Sequence, residues 1–155
     1  MLNHLLKLYS YERWANTQVL SAIAKAPELP PHAMKLFAHI FAAHEFIGKR
    51  VRSQPVNYHE YNFFPDYSCE RCAELNEHYA VGWHEFLHAL PGPIDRQTVT
   101  FTGPDGNPRT IYILDALTHL YSHSIYHRGQ IAMDMRNAGL EPAKTDLIMF
   151  TQTRG

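Results

Sequence analysis

Proline and glycine divide this chain into four long segments, each with the period of an amphipathic helix. Residues 2 to 26 carry Leu2, Leu5, Tyr9, Asn16, Leu20 and Ile23 at three- and four-residue steps, which places them on one helical face. Pro27, Pro30 and Pro31 stop that segment, because proline lacks a backbone donor and restricts the residue before it. A second helix is expected from about His32 to Ser53, with Leu36, Ile40, Ala43, Ile47 and Val51 on its buried side. Residues 54 to 67 hold Pro55, Pro65 and many aromatics without a clean period, as an ordered loop would. Ser68 is a suitable N-cap for a third helix from Cys69 to Leu90, facing inward through Leu75, Tyr79, Trp83, Phe86 and Leu90. Pro91-Gly92-Pro93 ends it.

The next stretch changes character. Gln97 to Thr102 is rich in β-branched residues, Gly103 to Pro108 supplies turn chemistry, and Arg109 to Ile111 return, so a short β-hairpin is expected. A fourth helix covers about Leu114 to Ala138, closed by Gly139 with Pro142 beyond it. The tail from Thr145 to Thr151 is expected to be ordered through Leu147, Ile148 and Phe150. The architecture is therefore all-α: a four-helix bundle of up-down-down-up type with a small hairpin inserted before the last helix. With 155 residues and no linker or repeat, a single domain over 1–155 is expected.

Composition excludes several classes. At 45% hydrophobic and 19% charged residues the chain is too apolar for disorder. Lys and Arg total 14 against 15 Asp and Glu, without the basic excess of a nucleic-acid-binding module. No run of about 18 uncharged apolar residues is present, so no membrane partner is expected. The first residues lack a signal peptide's pattern, which makes the cytoplasm the expected compartment.

Eleven residues are histidine, and helical phase sorts them. At about 100° per residue and with His119 as zero, His123 lies near +40° and His127 near +80°. Tyr126, Gln130 and Asp134 fall near -20°, +20° and +60°, on the same stripe. A solvated face would carry Lys and Glu; this one carries neither. Two histidines four apart on a helix can chelate one ion, and the third ligand must come from elsewhere. On the second helix His39 sits at the centre of the apolar face, where an imidazole is costly unless paired or coordinated. His44 lies about 140° away, at the rim. His39, His123 and His127 thus form a three-histidine set with coordination positions left open.

Two other motifs are weaker. His84-Glu85-Phe86-Leu87-His88 matches the zinc-peptidase pattern H-E-x-x-H, yet both histidines fall opposite the core face and no third ligand follows at a suitable spacing. Cys69 and Cys72 lack the second cysteine pair of a zinc ribbon and read as incidental, with Cys72 near the core face.

The run His119-Leu120-Tyr121-Ser122-His123-Ser124-Ile125-Tyr126-His127-Arg128-Gly129-Gln130 resembles the H-x3-H-R-G-Q signature of DinB-type proteins. Arg136-Asn137-Ala138-Gly139, Glu141-Pro142 and Thr145-Asp146 follow similarly, as do Tyr11-Glu12-Arg13-Trp14-Ala15-Asn16 and Phe37-Ala38-His39-Ile40 earlier. The resemblance implies a four-helix bundle, commonly a homodimer, with one divalent transition metal held by His39, His123 and His127. His119 is expected near the site rather than bound to the ion. Gln130 is expected to face the metal, and Gly129 to allow a neighbouring helix to approach closely.

Relatives of this kind with known chemistry resemble thiol-dependent transferases and isomerases. The expected activity is therefore metal-dependent S-transfer from a low-molecular-weight thiol to a small-molecule electrophile, with Asp134, Tyr126 or His119 as general-base candidates. A non-enzymatic, stress-related metal- or ligand-binding dimer is the alternative. Metal-dependent hydrolysis is a third, and would need Asp134. Three imidazoles suit zinc or nickel best, then cobalt or iron(II).

Overall fold

The computed structural model describes residues 1–28 and 30–152. Its elements are α1 (Leu2–Ile23), α2 (Pro31–Val51), α3 (Cys69–Ala89), a 3-10 turn (Ile94–Arg96), β1 (Thr98–Thr102), β2 (Pro108–Tyr112), α4 (Ile113–Asn137) and α5 (Leu147–Gln152). The chain is mostly helical, with one two-stranded antiparallel sheet before the last long helix. The last three residues of the expected 1–155 domain lie outside the described ones.

The helix ends follow local chemistry. Pro31 opens α2, where a missing N–H costs nothing. The Ser68 side chain accepts from the Arg71 N–H at 3.2 Å and caps α3. α4 ends at Gly139 with φ of 73°: the N–H of Leu140 reaches the Met135 carbonyl and that of Gly139 reaches Arg136, the paired bonds of a Schellman motif. α2 ends in the same motif, with Ser53 at φ of 55° in place of glycine and Gln54 N–H bonded to the Lys49 carbonyl. It therefore stops at Val51, two residues before the expected end. α1 stops at Ile23 rather than Ala26. Among the described residues no helix is long and apolar enough to cross a membrane.

α2 packs chiefly on α4 and α1 on α3. One apolar cluster joins Leu5, Tyr9, Trp83, Leu87, Leu117 and Leu120; another joins Val19, Phe37, Phe41, Cys72, Ile131 and Met135. β1 pairs with β2 so that Phe101 lies opposite Arg109, and Val99 points inward. α5, six residues long, seats Phe150 against Tyr11 and Trp14. The tail is thus helical as well as ordered.

His44 is not at a rim. It is 3% exposed, because α2 is covered on so much of its circumference that 13 of its 21 residues are buried. Trp83 Nε1–H donates to His44 Nδ1 at 2.9 Å, so the His44 proton is on Nε2, facing Ser124 Oγ at 3.4 Å. Ser124 in turn donates to the Leu120 carbonyl at 3.1 Å. Burial, then the nearby Arg128 and His123, lowers the His44 pKa to about 3. A histidine neutral in the fold gains a proton on unfolding at any pH between its folded and unfolded values. The stability due to His44 is therefore present above about pH 6.5 and falls as pH drops towards 3, by up to about 1.4 kcal/mol per unit. Urea unfolding at several pH values should show that slope shrink by about one proton in His44→Gln.

Candidate metal centre

α2 and α4 lie side by side, which brings His39 against the His123–His127 pair. His39 Nε2 is 3.2 Å from His123 Nε2, and His127 Nε2 is 3.1 Å from the same atom. Four ligands at about 2.0–2.1 Å around a tetrahedral ion stand about 3.3 Å apart, so these separations suit one shared cation. His39 is 8% exposed, while the other two are half-buried and reach the surface. No carboxylate belongs to the cluster among the described residues.

The protons on these rings are directed away from the centre. His39 Nδ1–H donates to the Phe63 carbonyl at 2.6 Å, and His127 Nδ1–H donates to Gln130 Oε1 at 2.7 Å. Both Nε2 atoms are therefore acceptors, and both face His123 Nε2, which can offer a proton to only one of them. Without a cation a lone pair would face a lone pair. His123 Nδ1 is buried and has no hydrogen-bond partner. Burial, with His127, His39 and His119 close by, lowers the His123 pKa to about 3. The His127 pKa is lowered as well, chiefly by burial. Both rings are neutral near pH 7, the state in which imidazole ligates. The residues present fit a divalent ion.

Around the cluster the expected neighbours divide. The His119 ring is 5.7 Å from that of His123, and Tyr126 is 5.2 Å from His127; both are exposed at the rim. Gln130 does not turn towards an ion but fixes the His127 tautomer, an outer contact of the kind that orients metal ligands. Asp134 is elsewhere: its Oδ2 lies 2.7 Å from His32 Nδ1, about two helical turns beyond His127. Gly129 is exposed and a Cβ there would meet nothing within 4 Å, so no neighbouring helix uses it. His84 and His88 point to solvent.

Three contributors were not anticipated from the sequence. The 54–67 loop supplies the Phe63 carbonyl, and Phe64 stacks on the His39 ring at 4.4 Å and 13°. Behind the site, Arg128 forms a two-pronged ion pair with Glu12, Nη1 to Oε1 at 2.5 Å and Nη2 to Oε2 at 3.2 Å. Both side chains are almost wholly buried, and Arg128 also donates to Asn16 Oδ1 at 3.0 Å. The signal was available: Glu12 and Asn16 continue the spacing of Leu5 and Tyr9, so a charge stood on the buried stripe of α1.

The sequence was compared with known families and proteins. A family model described as the DinB family matches residues 1–154, essentially the whole chain. Among curated proteins no sequence matches.

Proposed function

The chain belongs to the DinB family, and on that premise we propose that His39, His123 and His127 hold one divalent transition ion and that the loaded protein is a thiol S-transferase. The observation that carries the reading is the convergence of the ring nitrogens of His39, His123 and His127, two of them proton-free and both facing the third, with one side open to solvent. An all-imidazole set suits zinc or nickel. A bound ion of this kind would supply Lewis acidity, favouring the thiolate form of a thiol at neutral pH.

The chain's own residues do the rest. Phe63 and Gln130 lock two rings in the ligating tautomer, Phe64 covers the His39 ring, and Tyr126, exposed beside His127, offers a ring against which an apolar electrophile can lie. The thiol proton leaves to water at the rim, where His119 and Tyr126 are exposed. The sulfur lone pair forms a carbon–sulfur bond as the leaving group departs with its own electron pair. Hydrolysis is disfavoured because Asp134, the only carboxylate on the stripe, is engaged by His32.

The test uses untagged protein, so that no nickel column contributes the ion. Elemental analysis should give one transition metal per chain. A panel of cellular thiols with a chromogenic aryl halide should then yield thioether, with the activity lost on chelation and restored by metal. Fully metallated protein that forms no thioether with any thiol would overturn the transferase reading.

A further inference from the structure

A cleft separate from the metal centre lies on the same side of α2, three turns further along it. Arg50 follows His39 by 11 residues, so the two share a direction and stand about 16–17 Å apart along the axis. The cleft has a volume of about 600 Å³ and runs between the loop that follows α2 and the turn of the hairpin. The loop contributes Ser53 to His59 and the hairpin Thr100 to Pro104. His59 Nε2 sits 2.7 Å from the Pro104 carbonyl and ties the two walls together. Rings fill the space towards the metal centre: Phe46 packs on Tyr58 at 6.0 Å, on Tyr61 at 5.0 Å and on Phe63 at 4.9 Å. A ligand in the cleft would therefore not touch the ion.

Arg50 is the cation of this cleft. Its guanidinium is clamped between the Phe46 and Phe101 rings, 4.2 and 4.1 Å from their centroids. Both faces are thus taken, and only the in-plane N–H edge remains for hydrogen bonds. Nη2 is buried without a hydrogen-bond partner, and no ion pair reaches Arg50 among the described residues. Burial lowers its pKa, Tyr58 opposes this and Arg109 adds to it; no carboxylate takes part. An arginine stays charged all the same. No Asp or Glu lines the cleft, and the turn's own Asp105 is engaged by Arg109 and Asn107. A charge held there without a counter-ion calls for an anion. We infer that the cleft binds a small organic anion, its phosphate or carboxylate on the edge of Arg50 and its body along Pro55, Val56 and Tyr58. The volume is that of a small-molecule site, more than a lone inorganic ion fills. Ser53, Gln54 and Asn57 supply neutral hydroxyl and amide groups beside it.

Nothing in this inference requires a bound metal, and an NMR titration of the untagged full chain tests it residue by residue. Phenyl phosphate and benzoate are the probes, with benzyl alcohol as the neutral control at constant ionic strength. At least one anion should give saturable shifts at residues 53–59, at residues 103–106 and at the Arg50 side-chain N–H. The tighter of the two identifies the head group, and benzyl alcohol should give no saturable shift. Arg50→Gln should weaken anion binding roughly ten- to hundredfold. That change also loosens the ring stack, so Asn57→Asp serves as the second variant. It keeps the oxygen that accepts from the His59 N–H and adds a negative charge to the wall. It should weaken binding about fivefold at low salt with an unchanged thermal midpoint. Shifts confined to the residues around His127 would place the anion at the metal centre and overturn the inference. So would equal binding of benzyl alcohol, binding indifferent to either variant, or no saturable shift with either anion, in which case the stack serves only to hold the hairpin on α2.

Discussion

His123→Ala abolishes stoichiometric zinc or nickel binding at little cost to the stability of the metal-free protein. His123 is the nitrogen that both other ligands face, so its loss leaves two imidazoles that share no third partner. The expected fall in affinity exceeds about a thousandfold, on the order of 4 kcal/mol, read by competition with a chromophoric chelator. The metal-free fold loses little, because the ring it gives up has a buried nitrogen without a partner. In the unsubstituted protein an ion at about 100 times its dissociation constant adds about 2.7 kcal/mol, and about 5–10 °C in thermal midpoint for a chain of this size. In His123→Ala that rise should vanish. A variant that destabilises the metal-free protein but keeps the rise would mean that the ion sits elsewhere.

Glu12→Ala destabilises the fold by about 3–5 kcal/mol. Arg128 works against burial to keep its charge, and Glu12 is what raises its pKa. Removing the carboxylate leaves a guanidinium enclosed by Asn16 and the Tyr11 ring with no counter-charge. The double variant Glu12→Leu with Arg128→Met removes both charges and should recover to within about 1–2 kcal/mol of the original, because buried pairs balance desolvation against attraction. Urea unfolding of the single and double variants measures both values. Equal losses in the single and double variants would show that apolar packing, not the lone charge, sets the cost.

The ligand set was legible because a helix fixes direction rigidly. Four-residue spacing stacks His123 and His127, and an isolated imidazole on the apolar face of α2 pointed to His39. Phase does not give height along the axis, however. Asp134 shares the stripe's direction but lies about 10 Å beyond His127, and pairs with His32 instead. Phase on one helix also cannot tell how many neighbours surround it. His44 was placed at a rim because the apolar face of α2 was drawn too narrow; α3 contributes Trp83 to cover it.

Gly129 read as a packing notch within the protomer, yet it opens outward. Phe63 and Phe64 sit in an aperiodic loop, where no repeat announces which carbonyl or ring turns inward. The six residues of α5 span fewer than two turns, too few for a period to show. Glu12 and Arg128 were readable in principle, as charges in phase with buried neighbours on two helices.

The central claim is that one ion binds at the meeting point of three imidazoles. Crystals of untagged, zinc-loaded protein, with data collected on both sides of the zinc absorption edge, test it most directly. The account predicts one anomalous peak per chain, about 2.0–2.1 Å from the Nε2 atoms of His39, His123 and His127, with at least one position taken by solvent. A peak at the exposed His84–His88 pair instead, or no peak between α2 and α4, would contradict it.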